Sequence, residues 1–368
     1  MSENYDAIIL GAGINGVAIA KALALEGKTV CVIDKQSIGW GASSRSSRLI
    51  HGGLRYLEHF EFSLVKEALH DQKRLLELYP DLVEVHPFYL PHYQNSSRPK
   101  WMIRLGLWLY SFFGSHTQSP QEVNKEAFLK NFPVFKPEGL NYVFKYYDAQ
   151  TQDLQLTAQI ANEAQDAGAI FKEHATIHDI ELHDKQILVS CDETLLETPL
   201  LINATGAWID EVNAQFHLPS RFTIEKLSGI HLIVNGLLTP EPLILETQSK
   251  RIIFILPQED TTLIGTTERI ETGAIDEVSV NEADVNYLIK EVNAYLKQPL
   301  IREEVMDVTI GVRPIIKTKK DPSKMSREYK LDLHHVGKEK RILHVYGGKL
   351  TTFHSLSQKA LQRIHDDR

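Results

Sequence analysis

The sequence predicts an α/β protein with a parallel sheet, joined to a second region of mixed sheet and helix. Three observations carry this. The first 34 residues alternate strand, helix and strand around a glycine-rich turn. Residues 169–196 break into short alternating strands. Residues 222–270 read almost wholly as strand. Strand–helix–strand units imply parallel pairing, and a later strand-rich block implies a second layer system.

Taken in order, YDAIIL at 5–10 is an apolar, partly β-branched run and reads as a buried strand. GAGING follows at 11–16, then VAIAKALALEGK as a helix ending near Gly27, then TVCVID at 29–34 as a second strand. Phe60 to Leu78 is amphipathic, with Leu64, Ala68, Leu69, Leu75, Leu76 and Leu78 toward one face and Pro80 as its stop. Residues 86–100, rich in Pro, His, Ser and Tyr, read as a loop. WMIRLGLWLYSFFG at 101–114 is a strongly apolar helix, either buried or lying on a surface that dips into a membrane interface. Leu154–Ala167 is helical, and AIFKEH, TIHDIEL and QILVSC form a β-meander. LLINATGAW at 200–208 is a buried strand ending in a Gly turn. Asn281–Leu296 is a helix, DVTIGVRPII at 307–316 a strand, and KTKKDPSKMSREYKLDLHH a polar loop leading into a strand. Residues 342–364 close the chain as strand, Gly turn and helix.

The bulk properties exclude several classes. The chain has 368 residues, 43% hydrophobic and 24% charged, which suits a globular protein of about two or three domains. A formal net charge of −8 argues against a general nucleic-acid binder, and an anionic ligand would need a local cluster of Arg and Lys. Cys31 and Cys191 form no CxxC pair, which fits a reducing, cytoplasmic setting. MSENYDAIIL lacks the basic region of a signal peptide, and no uncharged apolar run reaches the length of about 18 residues that a spanning helix needs. No metal site is expected.

Gly11, Gly13 and Gly16 form G-x-G-x-x-G between a strand and a helix. Gly11 permits the tight turn, Gly13 lets backbone approach a pyrophosphate, and Gly16 packs helix on strand. Asp34 ends the next strand where a ribose-binding acid belongs, about 20 residues on. A dinucleotide is therefore expected, its phosphates at the helix N-terminus. The N-terminal position of the motif, the meander and the later turn at Asn203–Gly206 favour FAD over NAD, and the overall order matches two-dinucleotide-binding-domain flavoproteins.

The stretch SSRSSRLIHGGLRYLEHFEFSLVKEAL resembles the signature of the FAD-dependent glycerol-3-phosphate dehydrogenase family. PKWMIRLGLWLY, LINATGAW, GIHLIV, RIIFILP, LIGTTE, GVRP and GGKLTTF follow in that family's order, so the resemblance covers nearly the whole chain. It implies oxidation of sn-glycerol 3-phosphate to dihydroxyacetone phosphate, with electrons passing to FAD and then to quinone or another acceptor. It also implies peripheral contact with the cytoplasmic face of the inner membrane, and a homodimer. Ala42 and Arg48 depart from the family's Thr and Lys, and the protein is expected to be a short form without the family's separate C-terminal helical domain. The expected FAD-binding domain comprises residues 1–78, 150–218 and 335–368; the substrate-binding domain comprises 79–149 and 219–334.

A phosphate dianion needs converging cations. Arg55, Arg313 and Lys349 each sit beside a Gly or Pro turn matching the family's active-site segments: HGGLR, GVRP and GGK. A base must reach the C2 hydroxyl, and His51 and His231 both qualify, since His titrates near neutral pH. Placement before the Gly52–Gly53 pair favours His51; His231 is the second candidate or a substrate-orienting partner. Tyr56 is a candidate hydrogen-bonding group. Ser43, Ser44, Ser46, Ser47, Leu49 and Gly53 are expected near the flavin, with Asn15 from the first helix and Ala204 and Gly206 from the later turn. Gly348, Leu350 and Thr351 open the last helix, whose N–H groups would stabilise negative charge on reduced flavin. Two other readings stand beside this one: a related FAD-dependent amine or amino-acid oxidase, and a non-catalytic FAD-binding paralogue.

Overall fold

The computed structural model describes residues 2–59, 61–94, 96–114, 119–183, 185–317, 328–337 and 340–366, except for the side chains of Arg55 and His59. Most of the polar loop expected before the penultimate strand lies outside these residues.

The N-terminal unit follows the pattern read from sequence. Strands Ala7–Leu10 and Val30–Ile33 pair in parallel across the helix Ile14–Leu25. They belong to a six-stranded sheet ordered 330–336, 340–346, 200–203, 7–10, 30–33, 170–172. Both faces of this sheet are covered, which explains the continuous apolar runs. Ala7 and Ile9 face a cluster built with helices Ile14–Leu25, Asp153–Asp166 and Phe353–Asp366. Ile8 and Leu10 face the other cluster, with Val189 and Leu196 of the meander. All four strand residues are at most 1% exposed, so each buried Ile or Leu contributes roughly 1.5–3 kcal/mol.

The meander is narrower than expected. Strands Ile177–Leu182, Ile187–Cys191 and Thr194–Thr198 form it, with the short strand Glu3–Asn4 added in parallel. Ile170–Lys172 instead joins the parallel sheet beside Val30–Ile33. It directly follows the helix Asp153–Asp166, and so completes a crossover before the chain turns away.

The second sheet has ten strands among the described residues. Its main path runs 269–271, 224–235, 261–265, 252–258, 243–246, 83–93, 140–151, 49–50, while 305–316 pairs with 224–235 and 121–123 with 140–151. Residues 83–93 correct the expectation of a loop. They form an eleven-residue strand despite Pro87 and Pro91. Tyr89 N–H donates to Pro242 O on one neighbouring strand, the single register pair on that side. Pro87 and Pro91 point their missing donors to the same side, beyond that pair, so no ladder bond is lost. Helices Phe62–Leu78 and Lys100–Phe113 cover one face of this sheet, where Leu69, Leu107 and Tyr110 pack with Phe88 and Tyr146. Phe128, Phe132, Val285 and Leu288 cover the other. Leu78, read as part of the apolar face, is exposed, while Gln72 occupies a fully buried position of that face.

Candidate active site

A cavity of about 1200 Å³ runs from the C-terminal ends of the parallel strands to the face of the second sheet. That end of a parallel α/β sheet is where cofactors bind. At one end lies the glycine-rich turn. Gly11 has φ +98°, and a Cβ there would sit 2.7 Å from Ala204 O. A Cβ on Gly16 would fall 2.0 Å from Gly11 O, so the helix can approach the strand only with glycine at that position. The helix begins after Gly13, which has extended backbone and lines the cavity. Asp34 accepts the N–H groups of Ala12 (2.7 Å) and Gln36 (2.8 Å), which ties the first and second strand ends together. Burial raises its pKa, and those N–H bonds oppose the shift. A turn without room for side chains, a helix N-terminus on the cavity and an acid at the second strand end fit a dinucleotide.

The serine-rich segment contributes its hydroxyls to protein partners. Ser43 Oγ accepts Ile14 N–H (2.9 Å) and so caps the glycine-rich helix. Ser44 Oγ donates back to Trp40 O (3.2 Å) and lies off the cavity wall. Ser46 Oγ donates to Asp153 (2.7 Å) and accepts Arg48 N–H (2.9 Å), holding Arg48 at φ +56°. Ser47 Oγ lies 2.8 Å from His231 Nε2. Ser43, Ser46, Ser47, Leu49, His51, Gly53 and Tyr56 all line the cavity.

His51 is clamped by its backbone. Its N–H donates to Thr351 Oγ1 (3.1 Å), and the same hydroxyl donates back to His51 O (3.3 Å). Thr351 belongs to the Gly347–Thr352 turn, which docks on the first helix through Asn15 Nδ2 to Gly347 O (3.2 Å). A Cβ on Gly348 would come within 2.7 Å of Asn15 Nδ2. Residues 300 apart in sequence thus meet at one point of the cavity wall. Lys349 Nζ stands 3.9 Å above the Tyr56 ring, and both line the cavity with Leu350 and Thr351.

Register explains the remaining pair. Arg313 lies opposite Leu227, and His231 is four residues further along the same strand, so Arg313 and His231 share a face. Gly229 between them makes room: a Cβ there would be 2.8 Å from Arg313 Nη1. Arg313 Nη2 donates to Thr266 Oγ1 (3.0 Å). His231 is 1% exposed. Burial, with Arg313 and Arg48 nearby, lowers its pKa to about 3, so its imidazole is neutral.

The structure therefore brings His51, Tyr56, Arg313 and Lys349 to one cavity, with Ala204 and Gly206 on its wall, whereas His231 is not on the wall and reaches it through Ser47. The Arg55 side chain lies outside the described residues. Among the other cations that line the cavity, Arg98 pairs with Glu58 and Glu246, Arg251 with Glu268 at 3.3 Å and Lys35 with Asp276 at 2.6 Å. Sequence reasoning left Arg45 unassigned, and it stacks 4.4 Å over Trp40. Trp40 in turn lies 6.1 Å from Trp208 at the cavity mouth. Sequence reasoning also missed Gln72 and Asp148; the legible signal was a polar residue on the apolar stripe of the helix Phe62–Leu78.

Fold and cavity define a dinucleotide-dependent redox enzyme of the α/β class. Residues 6–353 match the family described as FAD dependent oxidoreductase. The chain is 34% identical to the aerobic glycerol-3-phosphate dehydrogenase of Escherichia coli (strain K12), covering 98% of this chain and 74% of that one. It is also 34% identical to the D-erythritol 1-phosphate dehydrogenase of Brucella abortus (strain 2308), with the same coverage of both chains. In fold it is similar to the glycerol-3-phosphate dehydrogenase of Bacillus halodurans complexed with FAD, at a TM-score of 0.77 and 19% identity, over 99% of this chain and 64% of that chain. The chain belongs to the FAD-dependent oxidoreductases, within the glycerol-3-phosphate dehydrogenase family, and its cofactor is FAD.

Proposed function

We propose that the protein oxidises sn-glycerol 3-phosphate to dihydroxyacetone phosphate. The observation that carries this is that two cations, Arg313 and Lys349, line the same cavity as His51 and the glycine-rich turn. Two converging cations suit a phosphate dianion, whereas an amino-acid carboxylate needs one Arg fork.

Gly11, Gly13 and the helix N-terminus after them hold the pyrophosphate of FAD, and Asp34 its ribose. Bound FAD supplies the two-electron acceptor for the hydrogen leaving substrate C2. Arg313 and Lys349 bind the phosphate, with Arg55 as a further anchor. His51 accepts the proton of the C2 hydroxyl as general base. Its backbone clamp by Thr351 supports that role, because a base must be held in one place. His231, neutral and bonded to Ser47, orients the wall behind the substrate. Tyr56 donates to substrate while its ring carries Lys349.

The reading extends to the acceptor. Among the described residues no helix is long and apolar enough to cross a membrane. The helix Lys100–Phe113 nevertheless exposes Trp101, Leu105, Trp108 and Phe112, at 67%, 48%, 58% and 72%. Spacings of four, three and four put them on one face, flanked by Lys100 and Arg104. The same helix lines the cavity with Met102, Leu105 and Leu109. These features support peripheral contact with the cytoplasmic face of the inner membrane and a membrane quinone as acceptor.

The test is anaerobic addition of glycerol 3-phosphate to the FAD-loaded protein. Bleaching of the flavin absorbance supports the reading. Flavin that stays oxidised, or that erythritol 1-phosphate reduces faster, removes the substrate assignment.

A further inference from the structure

The turn that carries His51 contains Gly52 and Gly53, which have no side chains to anchor it. Three buried polar side chains from three separate elements converge beneath it instead. Tyr110, from the helix Lys100–Phe113, accepts Gly52 N–H at 2.7 Å and donates its own O–H to Asp148 Oδ2 at 2.9 Å. Gln72, from the helix Phe62–Leu78, donates from Nε2 to Ile50 O and to Asp148 Oδ1, both at 2.6 Å. Asp148 lies on the strand Leu140–Thr151, whose Ala149 pairs with Ile50 itself. Tyr110 and Gln72 are 1% exposed and Asp148 3%. The backbone groups of Ile50, His51 and Gly52 are thereby held in succession, by Gln72, Thr351 and Tyr110.

We propose that Asp148, acting through Tyr110 and Gln72, is a positioning residue that holds the Ile50–Gly53 turn and thereby presents His51 to the substrate. This rests on the reading of His51 as the base.

The direction of the bonds assigns the central role to Asp148. Tyr110 has one proton to give, and it goes to the carboxylate, which leaves the phenol oxygen as acceptor for Gly52. Gln72 spends one amide hydrogen on Ile50 and the other on Asp148, which fixes which way the amide is turned. Asparagine at 148 offers one acceptor oxygen in place of two, so Tyr110 O–H and Gln72 Nε2 cannot both keep their bonds to it. The phenol hydrogen can then rotate toward Gly52 N–H, or the Gln72 amide can flip, and a contact to the turn is lost. The turn also packs closely on the same elements: a Cβ on Gly52 would sit 2.6 Å from Leu69 Cγ and 2.9 Å from the Tyr110 ring, so the turn approaches Tyr110 only with glycine at that position. Burial raises the Asp148 carboxyl to about 7, and the bonds from Tyr110, Gln72 and Ala149 N–H favour its anion. A displacement of even 1 Å at a catalytic base can cost about a hundredfold in rate.

The experiment uses full-length, FAD-loaded Tyr110→Phe, Asp148→Asn and the double variant. Hydrogen–deuterium exchange is followed in peptides covering residues 50–53, and flavin reduction by saturating glycerol 3-phosphate under anaerobic conditions. The expected result is exchange at least tenfold faster in each single variant. Flavin reduction is at least tenfold slower while KM changes less than twofold. The double variant is no slower than Asp148→Asn alone, because both act through one path. Thr198→Val, a buried hydroxyl on a strand of the meander, serves as control and leaves both readouts unchanged. Unchanged exchange at residues 50–53 overturns the proposal, as do rate losses that multiply in the double variant. Tyr110→Phe keeps the ring and its packing on Tyr146, so it decides the matter if Asp148→Asn does not fold. Wild-type flavin that glycerol 3-phosphate does not reduce sinks the substrate reading, while the exchange measurement still decides the positioning.

Discussion

The Ser47 hydroxyl lies 2.8 Å from Nε2 of His231, and this contact joins the serine-rich segment to the strand 224–235 of the second sheet. Its partner imidazole is buried and neutral. Among the described residues its Nδ1 has no hydrogen-bond partner.

That neutrality has a consequence for stability. The folded pKa of His231 is about 3, below the ordinary 6.5, so the unfolded chain binds the extra proton. Above pH 6.5 the group has no effect on stability. As pH falls from 6.5 toward 3 it removes stability, at up to about 1.4 kcal/mol per pH unit. His231→Gln is expected to flatten the decline of unfolding temperature between pH 6.5 and 5. An unchanged slope in thermal unfolding would show that the group does not titrate this way.

Replacing the base tests the chemistry directly. His51→Gln should retain FAD and slow anaerobic flavin reduction by about a hundred- to ten-thousandfold. A loss below tenfold in single-turnover kinetics would move the base elsewhere, and the buried, neutral His231 would need to be reconsidered.

The phosphate anchors should act on binding. Arg313→Met removes a charge-assisted fork worth about 1.5–3 kcal/mol, which is about ten- to a hundredfold in affinity. Titration of the oxidised enzyme with glycerol 3-phosphate should show that weakening. Inorganic phosphate should lose its competition in parallel. Lys349→Met should behave alike, with some loss of order at Tyr56 because its ring then lacks the ammonium 3.9 Å above it.

Gly11→Ala tests the cofactor turn. Its φ of +98° and the 2.7 Å approach to Ala204 O leave no space for a methyl group. Purified variant should carry little FAD and unfold at lower temperature than wild type. Full flavin occupancy would place the pyrophosphate elsewhere.

The exposed helix face is tested away from the cavity. Trp108→Ser with Phe112→Ser should reduce cosedimentation with anionic liposomes while leaving the rate with a soluble dye acceptor unchanged. Equal sedimentation of variant and wild type would argue against this face as the membrane contact.

The N-terminal unit was readable because its signals are local. Gly11, Gly13, Gly16 and Asp34 lie within one strand–helix–strand segment, and backbone sterics alone restrict what can stand there. The helix Phe62–Leu78 was readable by its periodicity and Lys100–Phe113 by its strongly apolar run. The strand at 83–93 was not, because its prolines look like breakers until the neighbouring strand shows which side lacks a partner. The strand Ile170–Lys172 looked like part of the meander because periodicity does not reveal which sheet a strand joins.

Residue chemistry and spacing pointed to an FAD-type dinucleotide fold, and the family resemblance added a short set of candidate side chains for an anion site. They could not say which of those side chains meet. His51 and Thr351 are 300 residues apart, and Ser47 and His231 are 184 apart. Their contacts arise from the register of the strands 224–235 and 305–316 and from the docking of the last turn on the first helix. Burial likewise comes from the fold: His51 and His231 are the same residue type, but enclosure beside two arginines holds His231 neutral. Long-range packing sets which side chains share a wall and what charge they carry, and neither can be read from neighbours in sequence.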